Sequence, residues 1–480
     1  MMCTIHIMTQ TASPISVAEA RKVARPGIIV AVACFCGIVV ALTQTLIVPL
    51  VPLLPGYLHA SRADTSWAVT ATLLAAAVMM PISGRLGDMF GKRLMLVLSL
   101  VSLVAGSLLC ALTSSLVPIV AGRALQGVSM GAIALGISIM RDELPAERVG
   151  QAVARVSATL GVGGAVGLPI AALIVEKSNW HVLFWATGAM AAVAITLVLV
   201  FVPESPVKNP GRFDVLGAVG LGAALVMLLL AISKGGTWGW TDHLTLGLIA
   251  GSLVTLAIWA SWEMRVASPL VDLRTSARPQ VLFTNLASIA VGFAMYGMSL
   301  MPIQLLLAPG ATGYGEGLTL IKAGLVLAPS GFMMYLFSDV GAKISAARGP
   351  RTSLAVGVVV LASSYLSILM MRDQWWQICL ASVLLGIGIG IAYAAMPALI
   401  MGAVPVTETA AANGLNALMR SVGTSLSAAV VGVVLSSHSV TIGGFPFPSN
   451  SGFTIAILIS LAASAAALML ALAIPKRRPA

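Results

Sequence analysis

Apolar runs, parted by short polar turns, make up most of the chain. The run "TSWAVTATLLAAAVMMPIS" leads into the decapeptide "GRLGDMFGKR" at 84–93, and "LMLVLSLVSLVAGSLLCALTSSL" leads out of it. About 20 apolar residues in a helix cross the hydrocarbon layer of a bilayer. The runs are continuous rather than alternating, which argues against barrel strands, and a helix satisfies its own backbone in lipid. The pattern predicts fourteen spans, at 27–54, 64–84, 94–112, 115–140, 149–176, 180–203, 214–233, 243–262, 280–306, 319–339, 351–371, 375–400, 410–437 and 451–474.

Composition agrees: 59% of the residues are hydrophobic and 9% charged, against roughly 25% charged in soluble domains. Too little polar surface exists to keep a soluble fold wet, so the expected class is an all-α polytopic membrane protein. The net charge of +11 would suggest a nucleic-acid partner until the cations are placed. With the N-terminus inside, twenty of the 27 Lys and Arg residues fall in inside segments. Five (Arg62, Lys177, Lys234, Lys322 and Arg372) fall at the outside, and Arg123 and Arg420 fall within helices. That asymmetry puts both termini in the cytoplasm and requires an even number of spans. The cations then face lipid headgroups and cytosol, and no nucleic acid is expected.

Residues 1–26 read as a cytoplasmic tail before a retained first helix, without a cleaved signal. Six spans (27–203) are followed by a two-helix hairpin with its linkers (204–279), six more spans (280–474) and a basic tail (475–480). A hairpin that enters and leaves on one side leaves the two six-helix halves in the same orientation, as in transporters built from paired bundles. The five cysteines and five histidines show no metal-binding or nucleophile spacing, so neither an enzyme nor a metal site is expected.

Within the decapeptide, Gly84, Gly87 and Gly91 permit tight turns and close helix approach. Asp88 is an acid among Arg85, Lys92 and Arg93. It can accept from a helix N-terminus and from an arginine across a domain gap, a contact that one domain arrangement makes and another breaks. Gly84, Asp88, Gly91 and Arg93 are therefore the expected cytoplasmic gate. Arg123, a cation inside an apolar helix, must face a partner or a wet cavity, and Gln126 shares its face. Gly163 and Gly167 form a small-xxx-small packing face and Pro169 can bend the helix, so these three are the expected hinge and seal at a bundle interface.

These stretches resemble the major facilitator superfamily. "GRLGDMFGKR" is similar to its signature loop, "VAGRALQGVSMGA" (120–132) to its fourth-helix motif, and "GVGGAVGLPIAA" (161–172) to the fifth-helix motif of proton-coupled antiporters. "WEMRVASPLVDLRTSARP" and "MRSVGTSLSAAV" (419–430) resemble the hairpin linker and penultimate helix of the fourteen-helix drug:proton antiporter family. The similarity covers about residues 27–474. It implies alternating access between two bundles, with Arg123 taking part in proton coupling. The second half carries only a degenerate echo of the loop, "GAKISAARGPR" (341–351), without its internal acid; Asp339 just precedes it.

One feature departs from the family. Efflux relatives often carry a first-helix acid nine residues before a proline; here Thr43 holds that position and Pro52 is the proline. No acid lies clearly at mid-bilayer. Asp64, at a helix start beside Arg62, is either an N-cap or an outer proton site. Two intramembrane arginines without deep acids suggest a neutral or anionic substrate, or partner acids reached across the cavity. Thr43, Gln44, Gln126, Tyr296, Gln304, Tyr393, Asn416 and Arg420 are the expected polar points of a mostly apolar substrate cavity. The resulting expectation is a monomeric inner-membrane exporter of amphiphilic small molecules, driven by the proton gradient without a cofactor. The alternative is a proton symporter taking up a neutral or anionic nutrient.

Overall fold

The computed structural model describes residues 26–51, 53–442 and 445–475. Among the described residues fourteen helices are long and apolar enough to cross a membrane. In chain order they are α1 (Pro26–Thr45), α2 (Trp67–Phe90), α3 (Lys92–Ala111), α4 (Leu116–Glu143), α5 (Ala146–Lys177), α6 (His181–Phe201), α7 (Val215–Trp238), α8 (His243–Glu263), α9 (Pro279–Leu307), α10 (Leu320–Arg348), α11 (Pro350–Met370), α12 (Trp375–Met401), α13 (Thr409–Ser437) and α14 (Asn450–Ala473). The fold is all-helical: two six-helix bundles, α1–α6 and α9–α14, with α7 and α8 between them.

The structure corrects the first span. Regular helix ends at Thr45, not near residue 54. Pro49 and Pro55 lie beyond it and have no N–H to donate. The chain continues as helical turns, with Leu50 N–H bonded to the Ile47 carbonyl and Leu54 N–H to that of Leu50. That segment packs its Ile47, Leu50, Leu54 and Leu58 against Trp180 and Phe184 of the α6 entry rather than extending the regular helix. Helix α4 is interrupted by a 3-10 turn at Ser129–Gly131. The other unforeseen element is a hairpin between α13 and α14. Strand β1 (Ser439–Ile442) pairs antiparallel with β2 (Phe445–Pro448), Ser439 opposite Pro448, and the Tyr314 hydroxyl donates to the Pro448 carbonyl.

One large core joins α1–α6 to α7 and to Ala410, Ala417 and Leu418 of α13. A second joins α9–α14 and takes in Ala158 of α5. The bundles meet chiefly along two pairs, α2 with α13 and α5 with α10. Helix α7 packs on both α2 and α13 and so lies over one seam. Helix α8 touches chiefly α7; it turns Thr245, Ser252, Trp259 and Glu263 inward and leaves Leu253, Val254 and Ile258 exposed. Both connections of this hairpin lie at the end that carries Asp88, where the Asn209 N–H donates to the Asp88 carbonyl (2.7 Å).

Candidate functional site

Asp88 sits on the last turn of α2, and its side chain is fully buried. Its oxygens accept from the backbone N–H groups of Ala410 (3.2 Å) and Ala411 (2.8 Å). Those are among the first N–H groups of α13, which the helix itself leaves unpaired and which carry its positive dipole end. The carboxylate therefore reaches from one bundle to the other. Gly84 allows the approach: a Cβ there would collide with the Ala410 carbonyl. Gly91 turns the chain at φ 125°, a conformation that favours glycine. Lys92 Nζ lies 3.7 Å from Asp88 and donates to Asp142 Oδ2 at 2.5 Å, all three side chains being buried.

Arg93 is not the partner of Asp88. Its guanidinium donates to the Leu199 carbonyl near the end of α6 (2.5 Å), and its N–H to Glu204 Oε1 (3.3 Å). Successive helical residues point about 100° apart, so Lys92 turning inward sends Arg93 outward. Nearest this contact, the arginine that crosses to α13 is Arg141, which donates to Thr409 Oγ1 (2.6 Å) and the Val404 carbonyl (3.4 Å). A further link at this end joins Arg155 of α5 to Asp339 of α10, bidentate at 2.9 and 2.8 Å. The sequence showed Asp339 only as an acid just before the degenerate loop and gave it no partner, because no local pattern joins residues 184 apart.

Two connections, 204–214 and 264–278, cover this end. Beneath them is a cavity of about 250 Å³ lined by Arg85, Asn209, Asp272 and Glu408 among others. Burial pushes the Asp272 carboxyl up, but bonds from the Thr275 hydroxyl and the N–H groups of Thr275 and Arg274 outweigh it and hold the group below its ordinary range.

The glycine motif of α5 faces elsewhere than expected. A Cβ on Gly163 would fall 2.5 Å from that of Ala41, and one on Gly167 would collide with Thr45, so both pack on α1 inside the first bundle. The seam between bundles is built from Gly161, Ala165 and Pro169 against α10: a Cβ on Gly331 would overlap Gly161 and Ala165, and one on Gly324 would lie 3.3 Å from the Pro169 ring. Steps of four keep 161, 165 and 169 on one face, and an offset of two residues turns 163 and 167 about 200° away. Of the expected hinge and seal, only Pro169 contacts the other bundle in this way.

Arg123 is 2% exposed. It donates to the carbonyls of Ala68 (3.1 Å) and Thr43 (3.1 Å) and to Gln126 Oε1 (2.6 Å). Gln126 passes the chain on to Ser107 Oγ (2.9 Å). Every acceptor is neutral. The space beside the group is about 10 Å³, room for about one water. Asp64 is exposed and bonded to Ser61 Oγ at 2.7 Å, and no hydrogen bond ties it to Arg123. The side chain of Arg62 lies outside the described residues.

The eight expected cavity residues divide. Thr43 and Gln126 belong to the closed Arg123 cluster. Asn416 and Arg420 form a second cluster in α13: Arg420 Nη1 donates to Asn416 Oδ1 (2.6 Å), and the Asn416 amide donates to Asn285 Oδ1 (2.9 Å) and Ser288 Oγ (2.8 Å). The Arg420 guanidinium lies 5.1 Å from the centroid of the Tyr393 ring. Tyr296 and Gln304 are half-buried on α9, and Gln44 is exposed with its amide 3.0 Å from Met130 Sδ. Among the described residues no group of three or more His, Cys, Asp or Glu could hold a metal.

The family model described as Major Facilitator Superfamily matches residues 33–428. Similar proteins include an uncharacterized MFS-type transporter of Mycobacterium tuberculosis, 28% identical over 429 residues, 86% of this chain and 61% of that protein. The chain thus spans 61% of the length of that relative. The tetracenomycin C resistance and export protein of Streptomyces glaucescens is 29% identical over 83% of this chain and 74% of its own length. The multidrug resistance protein Stp of M. tuberculosis is 26% identical over 77% and 68%. Among solved structures, the human organic anion transporter MFSD10 aligns with TM-score 0.64 at 14% identity, over 93% of this chain and 99% of that one; this is a likeness of fold.

Proposed function

Because the chain belongs to the Major Facilitator Superfamily, we propose that it exports amphiphilic small molecules by alternating access, driven by inward proton flow. The Asp88 end is cytoplasmic, as the positive-inside distribution of Lys and Arg implies. The observation that carries the reading is the clustering of cross-bundle polar links at that one end: Asp88 with Ala410 and Ala411, Arg141 with Thr409, and Arg155 with Asp339. Each joins side chains or helix ends of separate bundles, so all can open together while each bundle keeps its own core. In this role Gly84, Asp88 and Gly91 form the cytoplasmic gate, Arg93 braces it from outside, and α5 is the rocking surface through its 161–165–169 face. Arg123 sets the proton-coupling environment of α4, and Asp64 is a candidate outer proton site. The similarity to resistance and export proteins supports the outward direction.

Everted vesicles energised by respiration test this. Their lumen is acidified, and a pH-sensitive dye is quenched inside. A substrate that exchanges for protons should dequench the dye when the intact chain is present. Further quenching would point instead to proton symport, the reading that the missing mid-bilayer acid also permits.

A further inference from the structure

We infer that the transported molecule carries an anionic group and that Arg420 is its anchor. This rests on the transport reading above and names the substrate class of that site. Arg420 lies eleven residues from the start of α13, about 16 Å along the helix at 1.5 Å per residue. That is near the middle of a hydrocarbon layer roughly 30 Å thick. An arginine does not shed its proton in a protein, so its charge is permanent, and an isolated buried charge is strongly unfavourable.

Among the described residues no acid forms an ion pair with Arg420. Asp88, Asp142, Glu176 and Glu263 lie toward helix ends, and Asp339, nine residues inside the end of α10, is taken up by Arg155 of α5. Among the described residues, the ion pairs join Lys92 to Asp88 and Asp142 and Arg155 to Asp339, and none reaches Arg420 or Arg123. The elements packed around Arg420 offer neutral groups: Asn416 on its own helix, Tyr393 from α12, and the backbone of α9 at Gly292.

The two arginines differ in what remains free. Arg123 is wrapped by three neutral acceptors and has almost no space beside it. Arg420 uses one N–H on Asn416, leaving four of the five donors of a guanidinium without a protein acceptor among the described residues. It is half-buried rather than sealed, and the Tyr393 ring supports the guanidinium from one side. A planar fork of donors, held in place by Asn416 and short of a negative charge, fits a carboxylate or sulfonate. An aromatic or aliphatic body on the ligand would suit the apolar helix faces around it. A lipophilic cation would instead add to the uncompensated charge.

A matched pair of probes tests this: naphthalene-1-carboxylate and 1-naphthylmethylammonium, equal in shape and opposite in charge. Thermal unfolding of the purified full-length chain in detergent, at fixed ionic strength, reads binding without reference to transport. The carboxylate should raise the Tm saturably and the ammonium should not. Arg420→Gln should weaken the carboxylate's apparent affinity at least tenfold, Arg420→Lys less, and Arg348→Gln, an exposed cation at the end of α10, not at all. Stabilisation by the ammonium alone, an equal carboxylate response in folded Arg420→Gln, or no response to either probe would each overturn the inference. If Arg420→Gln does not fold, the charge preference of the intact chain still decides. Carboxylate binding that depends on Arg420 but produces no dye response in everted vesicles would sink proton-coupled export while leaving the anion site standing.

Discussion

The two halves link across the seam by matching helices and unlike chemistry. In the first half, the second helix (α2) reaches the fifth helix of the other half (α13) through Asp88. In the second half, the second helix (α10) reaches the fifth helix of the first (α5) through Asp339. The positions correspond, but the contacts do not. Asp88 is wholly buried, accepts from backbone N–H groups, and shares Lys92 with Asp142. The Arg155–Asp339 pair is 38% and 30% exposed at its side chains. The loops after these helices differ in the same sense. Gly91 is wedged against Glu204, whereas Gly349, also at positive φ, has open space around it. One link is thus a buried network that rejects partial change. The other is a solvated ion pair of the kind usually worth about 1 kcal/mol or less.

The largest break in this asymmetry should come from Lys92→Met. It leaves Asp88 and Asp142 facing each other without their shared cation, and removing one partner of a buried pair costs about 3–5 kcal/mol. Thermal unfolding should drop accordingly, and a variant as stable as the parent would mean that Lys92 is not buried between two charges. Asp88→Asn comes next. It keeps the shape but loses the charge-assisted bonds to α13, about 1.5–3 kcal/mol. Its effect should fall on the contact between α2 and α13, seen as faster cysteine labelling at the Asp88 end and loss of transport, with only modest unfolding.

Arg155→Ala should cost about 0.5–1 kcal/mol, diminishing with salt. Arg155→Asp combined with Asp339→Arg should recover transport relative to either single reversal; failure of that exchange would show that geometry rather than charge holds α5 to α10. Arg93→Gln should do least, within about 0.5 kcal/mol as for ordinary surface changes, since its guanidinium bonds only the Leu199 carbonyl of the first half. An effect of Arg93→Gln as large as that of Asp88→Asn would restore Arg93 as the latch.

The spans were legible because each apolar run must satisfy its backbone within itself, so local sequence sufficed. Boundaries were less legible where prolines and packing compete: α1 stops at Thr45 although apolar residues continue, because Leu50 and Leu54 are buried against Trp180 rather than in helix. Asp88 was legible as an acid out of place among cations. That it could accept from a helix N-terminus was legible too; which helix was not, since Ala410 and Ala411 act through backbone groups that any residue would supply.

What the sequence determined by itself was the helical class, the number of spans, the cation-rich side and the two arginines set in apolar helix. All of these follow from the cost of placing apolar or charged groups on the wrong side of a lipid boundary. Only the tertiary structure decided which glycines face which helix, which arginine crosses the seam, and that Arg155 meets Asp339. Those depend on the rotation of one helix against another. A turn of 100° per residue moves a side chain from seam to interior without changing the composition that the sequence displays.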